Sequence, residues 1–168
     1  MARLPRVTIL QLDPRCPAGP IEGWLKDAGV RLSQVSLWDR DVPPIASIGE
    51  GLVILGGTMS ALSAAEDPVL GALSGEVVVA QSHHDVVVRL PEGAVELART
   101  ARYGNQAFRL GSSWGVQFHP EATPELIEDW SRRSPRRAEV VAEVTAARDA
   151  ITASGRAVAQ AFAQVVRG

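Results

Sequence analysis

The sequence has little of several features that mark particular protein classes. Cys16 is the only cysteine among 168 residues, so no disulfide can form within the chain, which fits a reducing compartment. No window approaches the ~18 uninterrupted apolar residues of a membrane span, and the N-terminus lacks the apolar core of a signal peptide. The 17 basic and 19 acidic residues leave a formal charge of −2, without the basic face that nucleic acid requires. We therefore expect a cytoplasmic protein that binds neither membrane nor nucleic acid.

The remaining composition is that of an ordinary globular protein. Apolar residues make up 46% of the chain and charged residues 21%, which excludes collagen-like, disulfide-rich and disordered classes. At this length one domain is the default. We expect a single domain over residues 1–168, in which residues 131–168 form a C-terminal helical extension.

The N-terminal third has the alternation of strands and helices that is typical of an α/β fold. Residues 7–12 predict a strand followed by a turn, and residues 21–28 have helical spacing up to Gly29. Residues 30–37 predict a second strand. Residues 52–55 are continuously apolar, as expected of a central parallel strand that is buried on both faces. This order of elements predicts an α/β fold.

Short strands and then helices are predicted after residue 56. The strands cover residues 77–80, 86–90, 94–97, 105–110 and 114–119, and a turn joins the last two. Thr123 is a typical helix cap, with Pro124 at the first helical position. Residues 138–150 and 155–166 predict alanine-rich amphipathic helices. We expect the arginines between 132 and 137 to lie in a solvated turn between helices, and not to form an anion site.

The most informative segment for chemistry runs from residue 114 to residue 121. Alternate residues of a strand share a face, so Trp114, Val116 and Phe118 should face one side and His119 the other. Glu121 follows His119 by two residues, which allows its carboxylate to reach the imidazole. A histidine oriented by a glutamate at the end of a strand is what a general base needs to deprotonate a nucleophile.

Two further polar segments follow predicted strands. Gly56 and Gly57 directly follow the buried strand, and such a turn lets backbone N–H groups point into a site as oxyanion donors. Ser82 and His83 begin a polar cluster just after the strand at 77–80. Either segment alone is also compatible with an ordinary turn, so the combination carries the argument.

Taken together, these segments resemble the class I glutamine amidotransferases, especially the stand-alone members similar to GMP synthase. The segments that match are the N-terminal strand with its loop at residues 13–20, and residues 24–25, 56–60, 66–68, 82–85, 90–94, 105–109, 114–121 and 125–130. The resemblance runs over most of the chain, and residues 105–121 are its most specific part. It implies a three-layer, flavodoxin-like α/β domain, here with a truncated central sheet and a helical C-terminus.

The resemblance also implies a chemistry, which is hydrolysis of the glutamine side-chain amide by a Cys-His-Glu triad. By motif match, His119 would be the triad base and Glu121 its orienting acid. Gly57 would give one oxyanion N–H group. Gly56 and the backbone around Ser82 and His83 would hold the amino-acid end of L-glutamine. No cofactor is implied.

One part of the family pattern is missing from this sequence. The family carries its nucleophile in a Gly-x-Cys-x-Gly elbow between the Gly-Gly turn and the Ser-His segment, and no cysteine lies there. A strand with its crossover takes roughly 30 residues, so we expect at least one such unit to be lacking. Cys16 lies in the loop after the first strand, with no histidine near it in the sequence, and is not expected to react. The sequence therefore predicts an inactive or regulatory family member.

Two alternatives stay open. In the first, the chain is an active glutaminase whose nucleophile comes from Cys16 or from a partner chain. Removing a central strand exposes edge backbone, which favours a homodimer or a complex with a partner synthase. In the second, His/Asp/Glu side chains bind a metal, since residues 83–85, His119 and Glu121 are ligand types. The histidine spacing of common metal sites is absent from the sequence, so no metal is assigned.

Overall fold

The chain folds into two small β-sheets flanked by helices. The structure, a computed structural model, describes residues 3–11, 14–37, 39–41, 43–44, 47, 49–54, 66–73, 77–82, 87–99 and 105–168. Its strands are β1 (Arg6–Gln11), β2 (Arg31–Ser36), β3 (Gly51–Ile54), β4 (Val95–Ala98), β5 (Ala107–Leu110) and β6 (Ser113–Val116). Its α-helices are α1 (Ile21–Asp27), α2 (Pro124–Trp130), α3 (Arg137–Ala146) and α4 (Arg148–Arg167), with a 3-10 helix at Leu70–Leu73.

The first sheet is parallel and has the order β2-β1-β3. The strands predicted at 7–12, 30–37 and 52–55 are confirmed to within two residues at each end. Within the described residues β1 is the middle strand, whereas β3, for which a central place was predicted, pairs only with β1. Val7 and Ile9 of β1 are fully buried, and they pack against α1 and against α4.

The second sheet is antiparallel, with the order β4-β5-β6. Gly115 of β6 lies opposite Phe108 of β5, whose ring occupies the space that a side chain at 115 would need. Phe118, just beyond β6, is fully buried in a second cluster with residues of β4, β5 and the 3-10 helix. This cluster anchors the chain immediately before the segment of chemical interest.

Two strands predicted from valine-rich runs are wrong in the described residues. In residues 77–80 only Ala80 pairs, through a single antiparallel bridge to His119. Residues 87–90 form no strand, although Val87 donates a hydrogen bond from its backbone N–H to Oε1 of Gln117. The strand predicted at 114–119 ends at residue 116. Strand preference depends on an available neighbouring strand, so an apolar run alone does not make one.

The C-terminal part is helical, as predicted, but its boundaries differ. Thr123 caps α2, since its Oγ1 accepts the Leu126 N–H at 3.3 Å. The break between α3 and α4 comes at Ala147, so Gly155 lies inside α4 and not at a helix start. α4 contacts all three apolar clusters of the described residues. Among these residues, no helix combines the length and apolar character needed to cross a bilayer.

Candidate functional site

His119 lies where the chain leaves the antiparallel sheet. Trp114 and Val116 pack in the same cluster as Phe118, which confirms the face predicted for these three side chains. Because neighbouring side chains of an extended chain point to opposite sides, His119 is directed away from that cluster. Its backbone N–H donates to the carbonyl oxygen of Ala80 at 3.4 Å. The buried phenylalanine and the bridge together fix where the imidazole is placed.

His119 and Glu121 form a buried hydrogen-bonded pair. Nδ1 of His119 lies 2.5 Å from Oε1 of Glu121, and the two side chains are 5% and 3% exposed. An ionised carboxylate only accepts hydrogen bonds, so Nδ1 carries the hydrogen and Nε2 is the basic nitrogen of the neutral ring. A base whose tautomer is set by a buried carboxylate is able to take a proton from a nucleophile.

Three groups pack closely around this pair. The ring of Trp130 lies 4.3 Å from the imidazole, centroid to centroid. Gly155 of α4 lies against the carbonyl of Pro120, so close that a Cβ at 155 would be 2.1 Å from that oxygen. Gly19, at a φ of +52°, brings the loop after β1 to the backbone of Glu121. The segment that holds the pair is therefore enclosed by a helix, a loop and an aromatic ring.

A cavity of about 510 Å³ opens beside the imidazole. The described residues in its wall are Arg15, Cys16, Ser82, His119, Asp129, Trp130, Arg132 and Arg133. His119 is buried and the three arginines are exposed, so the imidazole forms the floor of the cavity and the arginines form its rim. The volume is in the range that holds a small molecule such as an amino acid.

Cys16 lies in the loop between β1 and α1 and lines this same cavity. The expectation that no histidine lies near it rests only on its neighbours along the chain. The tertiary structure corrects that expectation, since it brings Cys16 and His119 to one cavity wall. The Nε1–H of Trp130 donates to the carbonyl oxygen of Arg15 at 2.8 Å, which attaches this loop to α2.

The other predicted site residues divide into two groups. Ser82 lines the cavity together with His119. Gly56, Gly57 and His83 lie outside the described residues. Residues 83–85, which the metal alternative needs, also lie outside them, and in the described ranges no three His, Cys, Asp or Glu side chains form a metal-binding group.

Sequence reasoning missed most of the cavity wall. Arg132 and Arg133 are exposed in a turn, as predicted, but they also line the cavity. Asp129 and Trp130 of α2 were assigned no role. The short distance along the chain could have indicated these residues. α2 begins three residues after Glu121, and its seven residues extend only about 10 Å along the helix axis. The turn after α2 therefore stays within reach of the imidazole.

The chain is similar to known glutamine-hydrolysing proteins. The family model described as glutamine amidotransferase class-I matches residues 47–129. Glutamine-hydrolyzing GMP synthase of Porphyromonas gingivalis is 43% identical over 68 residues, which are 39% of this chain and 13% of that protein. Glutamine-hydrolyzing GMP synthase of Symbiobacterium thermophilum is 45% identical over 65 residues, which are 36% of this chain and 12% of that protein. The chain thus matches only a small part of the length of these curated relatives.

Solved structures share the fold over almost the whole chain. The glutamine amidotransferase of Methylobacillus flagellatus superimposes with a TM-score of 0.79 at 15% identity, covering 97% of this chain and 96% of that one. A glutamine amidotransferase of Thermotoga maritima gives a TM-score of 0.75 at 14% identity, covering 99% and 100%. These likenesses establish the flavodoxin-like α/β fold. The family match and the similarity to the GMP synthases support the assignment of the chain to the class I glutamine amidotransferase family.

Proposed function

We propose that the chain binds L-glutamine in the cavity beside His119 without hydrolysing it by the ordinary route of the family. The observation that carries this proposal is the separation of two parts of the triad. The His119–Glu121 pair is intact and buried. Cys16, the only cysteine, lies in the loop between β1 and α1, and not between the Gly-Gly turn and the Ser-His segment, where the family carries its nucleophile.

A catalytic triad that has lost its nucleophile is expected to be nearly inactive. Removing the nucleophile from a catalytic triad lowers turnover by on the order of 10⁶, even when the base and its carboxylate remain. His119 would then have a basic Nε2 directed to the cavity but no thiol of the usual position to deprotonate. In this proposal the chain is one cytoplasmic domain that senses or presents glutamine, as a homodimer or with a partner synthase.

Two assays on the purified chain test this function. Calorimetric titration with L-glutamine should show binding, and His119→Ala should weaken it, because the imidazole forms the cavity floor. Arg99→Gln is the matched control, since Arg99 pairs with Glu96 on β4 and does not line the cavity. Ammonia release from glutamine should stay at background in all three proteins. Release by the wild-type chain that His119→Ala abolishes would refute the non-catalytic function.

A second candidate function is supported by the position of Cys16. Because Cys16 and His119 line one cavity, Nε2 of His119 is a candidate to accept the proton of the Cys16 thiol. The thiolate would attack the side-chain amide carbon of glutamine, the proton would leave with ammonia, and water would hydrolyse the thioester to glutamate.

The Cys16→Ala variant separates the two candidates. Under the second function, the wild-type chain releases ammonia and Cys16→Ala does not. A glutamine analogue with an electrophilic side-chain ketone should then add one label to the wild-type chain and none to Cys16→Ala, by intact mass. Ammonia release that survives in Cys16→Ala but needs His119 would point to a nucleophile from a partner chain, and it should then fall on dilution.

A further inference from the structure

The described residues of the cavity wall include more basic than acidic side chains. They comprise three arginines, at positions 15, 132 and 133, and one acidic residue, Asp129. Glu121 is buried behind the imidazole and is already hydrogen-bonded to it. A small site with one sign of charge at its mouth concentrates ligands of the opposite sign.

The arginines of the turn after α2 differ in their partners. Arg136 pairs with Glu139 and Arg137 with Glu128, both on the exposed surface. Arg132 pairs with Asp129, which holds its guanidinium at the cavity rim. For Arg133, which also lines the cavity, no carboxylate of the described residues forms an ion pair. Of the four arginines in this turn, Arg136 and Arg137 therefore pair with surface carboxylates, whereas Arg132 and Arg133 line the cavity rim.

We propose that this cavity is a binding site for a small anion, and that the rim of Arg132 and Arg133 receives an anionic group that L-glutamine lacks, such as a side-chain carboxylate or a phosphate. The planar guanidinium presents a fork of N–H donors that matches the paired oxygens of both groups. Asp129 orients the first guanidinium, so less side-chain freedom is lost when an anion binds. The proposal rests on the proposed function, because it assigns a ligand class to the same cavity.

The negative charge of a ligand should determine how tightly it binds at this rim. L-Glutamate and L-glutamine have nearly the same shape, but the glutamate side chain adds one negative charge. The rim therefore favours glutamate over glutamine, and inorganic phosphate competes with both. The preference should weaken as salt is added, because the rim is exposed and its charges are screened.

The experiment is calorimetric titration of the full chain with L-glutamate, L-glutamine and inorganic phosphate at low ionic strength. The variants are Arg133→Gln at the rim and Arg136→Gln three residues away, which make the same change in net charge. We expect Arg133→Gln to weaken binding of glutamate and phosphate about two- to five-fold, as is usual for an exposed charge pair, and to leave glutamine nearly unchanged. Arg136→Gln should change none of the three affinities.

Each possible result of the titrations supports or overturns the anion site. Equal affinities for glutamate and glutamine, equal losses in the two variants, or no binding of any anion would overturn the anion site. Binding of phosphate but not of glutamate supports it and identifies a phosphorylated ligand. If glutamine fails to bind while the anions bind through Arg133, the anion site stands and the glutamine function is wrong. Thermal unfolding of both variants confirms that they are folded.

Discussion

Replacing Gly155 by alanine is expected to destabilise the protein and to disturb the His119–Glu121 pair. A Cβ at 155 would lie 2.1 Å from the carbonyl oxygen of Pro120 and 2.8 Å from Cζ3 of Trp24. Trp24 is 6% exposed and packs in the first core cluster. Pro120 lies between the two residues of the pair. Neither neighbour is the flexible end of a side chain, so the new methyl group has to displace α4 or the Pro120 backbone.

Two opposing effects determine how much Gly155→Ala changes the free energy of unfolding. Overpacking of a well-packed interior costs about 1–3 kcal/mol. Alanine in place of glycine inside a helix recovers at most about 1 kcal/mol. Because the overlap involves a backbone oxygen, we expect the clash to dominate, with a net loss of about 1–2 kcal/mol. That loss corresponds to a decrease in Tm of roughly 2–8 °C for a chain of this size.

A second glycine provides the matched control. Gly23 also lies inside a helix, α1, but among the described residues no atom beyond its chain neighbours and its own helix backbone lies within 4 Å of the position that its Cβ would take. Gly23→Ala should therefore stabilise the protein by up to about 1 kcal/mol. Urea unfolding followed by circular dichroism measures both variants, and the imidazole NMR signals of His119 report on the pair. A Gly155→Ala variant as stable as wild type, with unshifted imidazole signals, would refute the close packing of α4.

Three further substitutions test other contacts. Thr123→Ala removes the cap of α2 and should cost about 1 kcal/mol in thermal unfolding, whereas Thr123→Ser keeps the accepting oxygen and most of the stability. Asp67→Ala leaves the indole N–H of Trp114 without its partner at 2.9 Å and should cost roughly 1–3 kcal/mol in urea unfolding. The hydrogen bond from the backbone N–H of Arg6 lowers the pKa of Glu50. A lowered pKa stabilises the fold above the unfolded-state pKa and is lost as the pH falls through the folded-state value, so Glu50→Gln should narrow the difference in Tm between about pH 6 and about pH 3.

Each of these has an outcome that contradicts it. Equal losses for Thr123→Ala and Thr123→Ser would mean that the hydroxyl oxygen does not cap the helix. If Asp67→Ala costs as much in a Trp114→Phe background as in the wild-type chain, the indole bond contributes nothing. An unchanged pH dependence in Glu50→Gln would show that the carboxylate is not held by the backbone of β1.

Features of the fold that depend on local sequence were predictable. The end of α1 just before Gly29, which has a φ of +82°, and the start of α2 just after its cap Thr123 follow from residues that suit those conformations. The valine-rich residues 77–80 and 87–90 were wrongly predicted to be strands. A strand also needs a neighbouring strand to pair with, and no short window of sequence shows whether one is available. The break at Ala147 carries no breaking residue, so the alanine-rich pattern placed the boundary too late.

The site shows the same division between local and distant contacts. His119 and Glu121 are two residues apart on an extended segment, so their hydrogen bond could be predicted from spacing and side-chain chemistry. Cys16 and Arg133 lie far from each other in the chain, and only the packing of the loop after β1 against α2 brings both to the cavity. Sequence motifs alone could therefore not predict the basic rim.

The packing of α4 has a consequence for the protein during its synthesis. Val7 of β1 is covered by Ala159 and Ala163, which the ribosome adds about 150 residues later, or roughly 8–30 s at about 5–20 residues per second. Until then the apolar side of the first sheet has no helix α4 to cover it. The newborn chain therefore offers chaperones a prolonged opportunity to bind, and its first strands are among the last to be protected from aggregation.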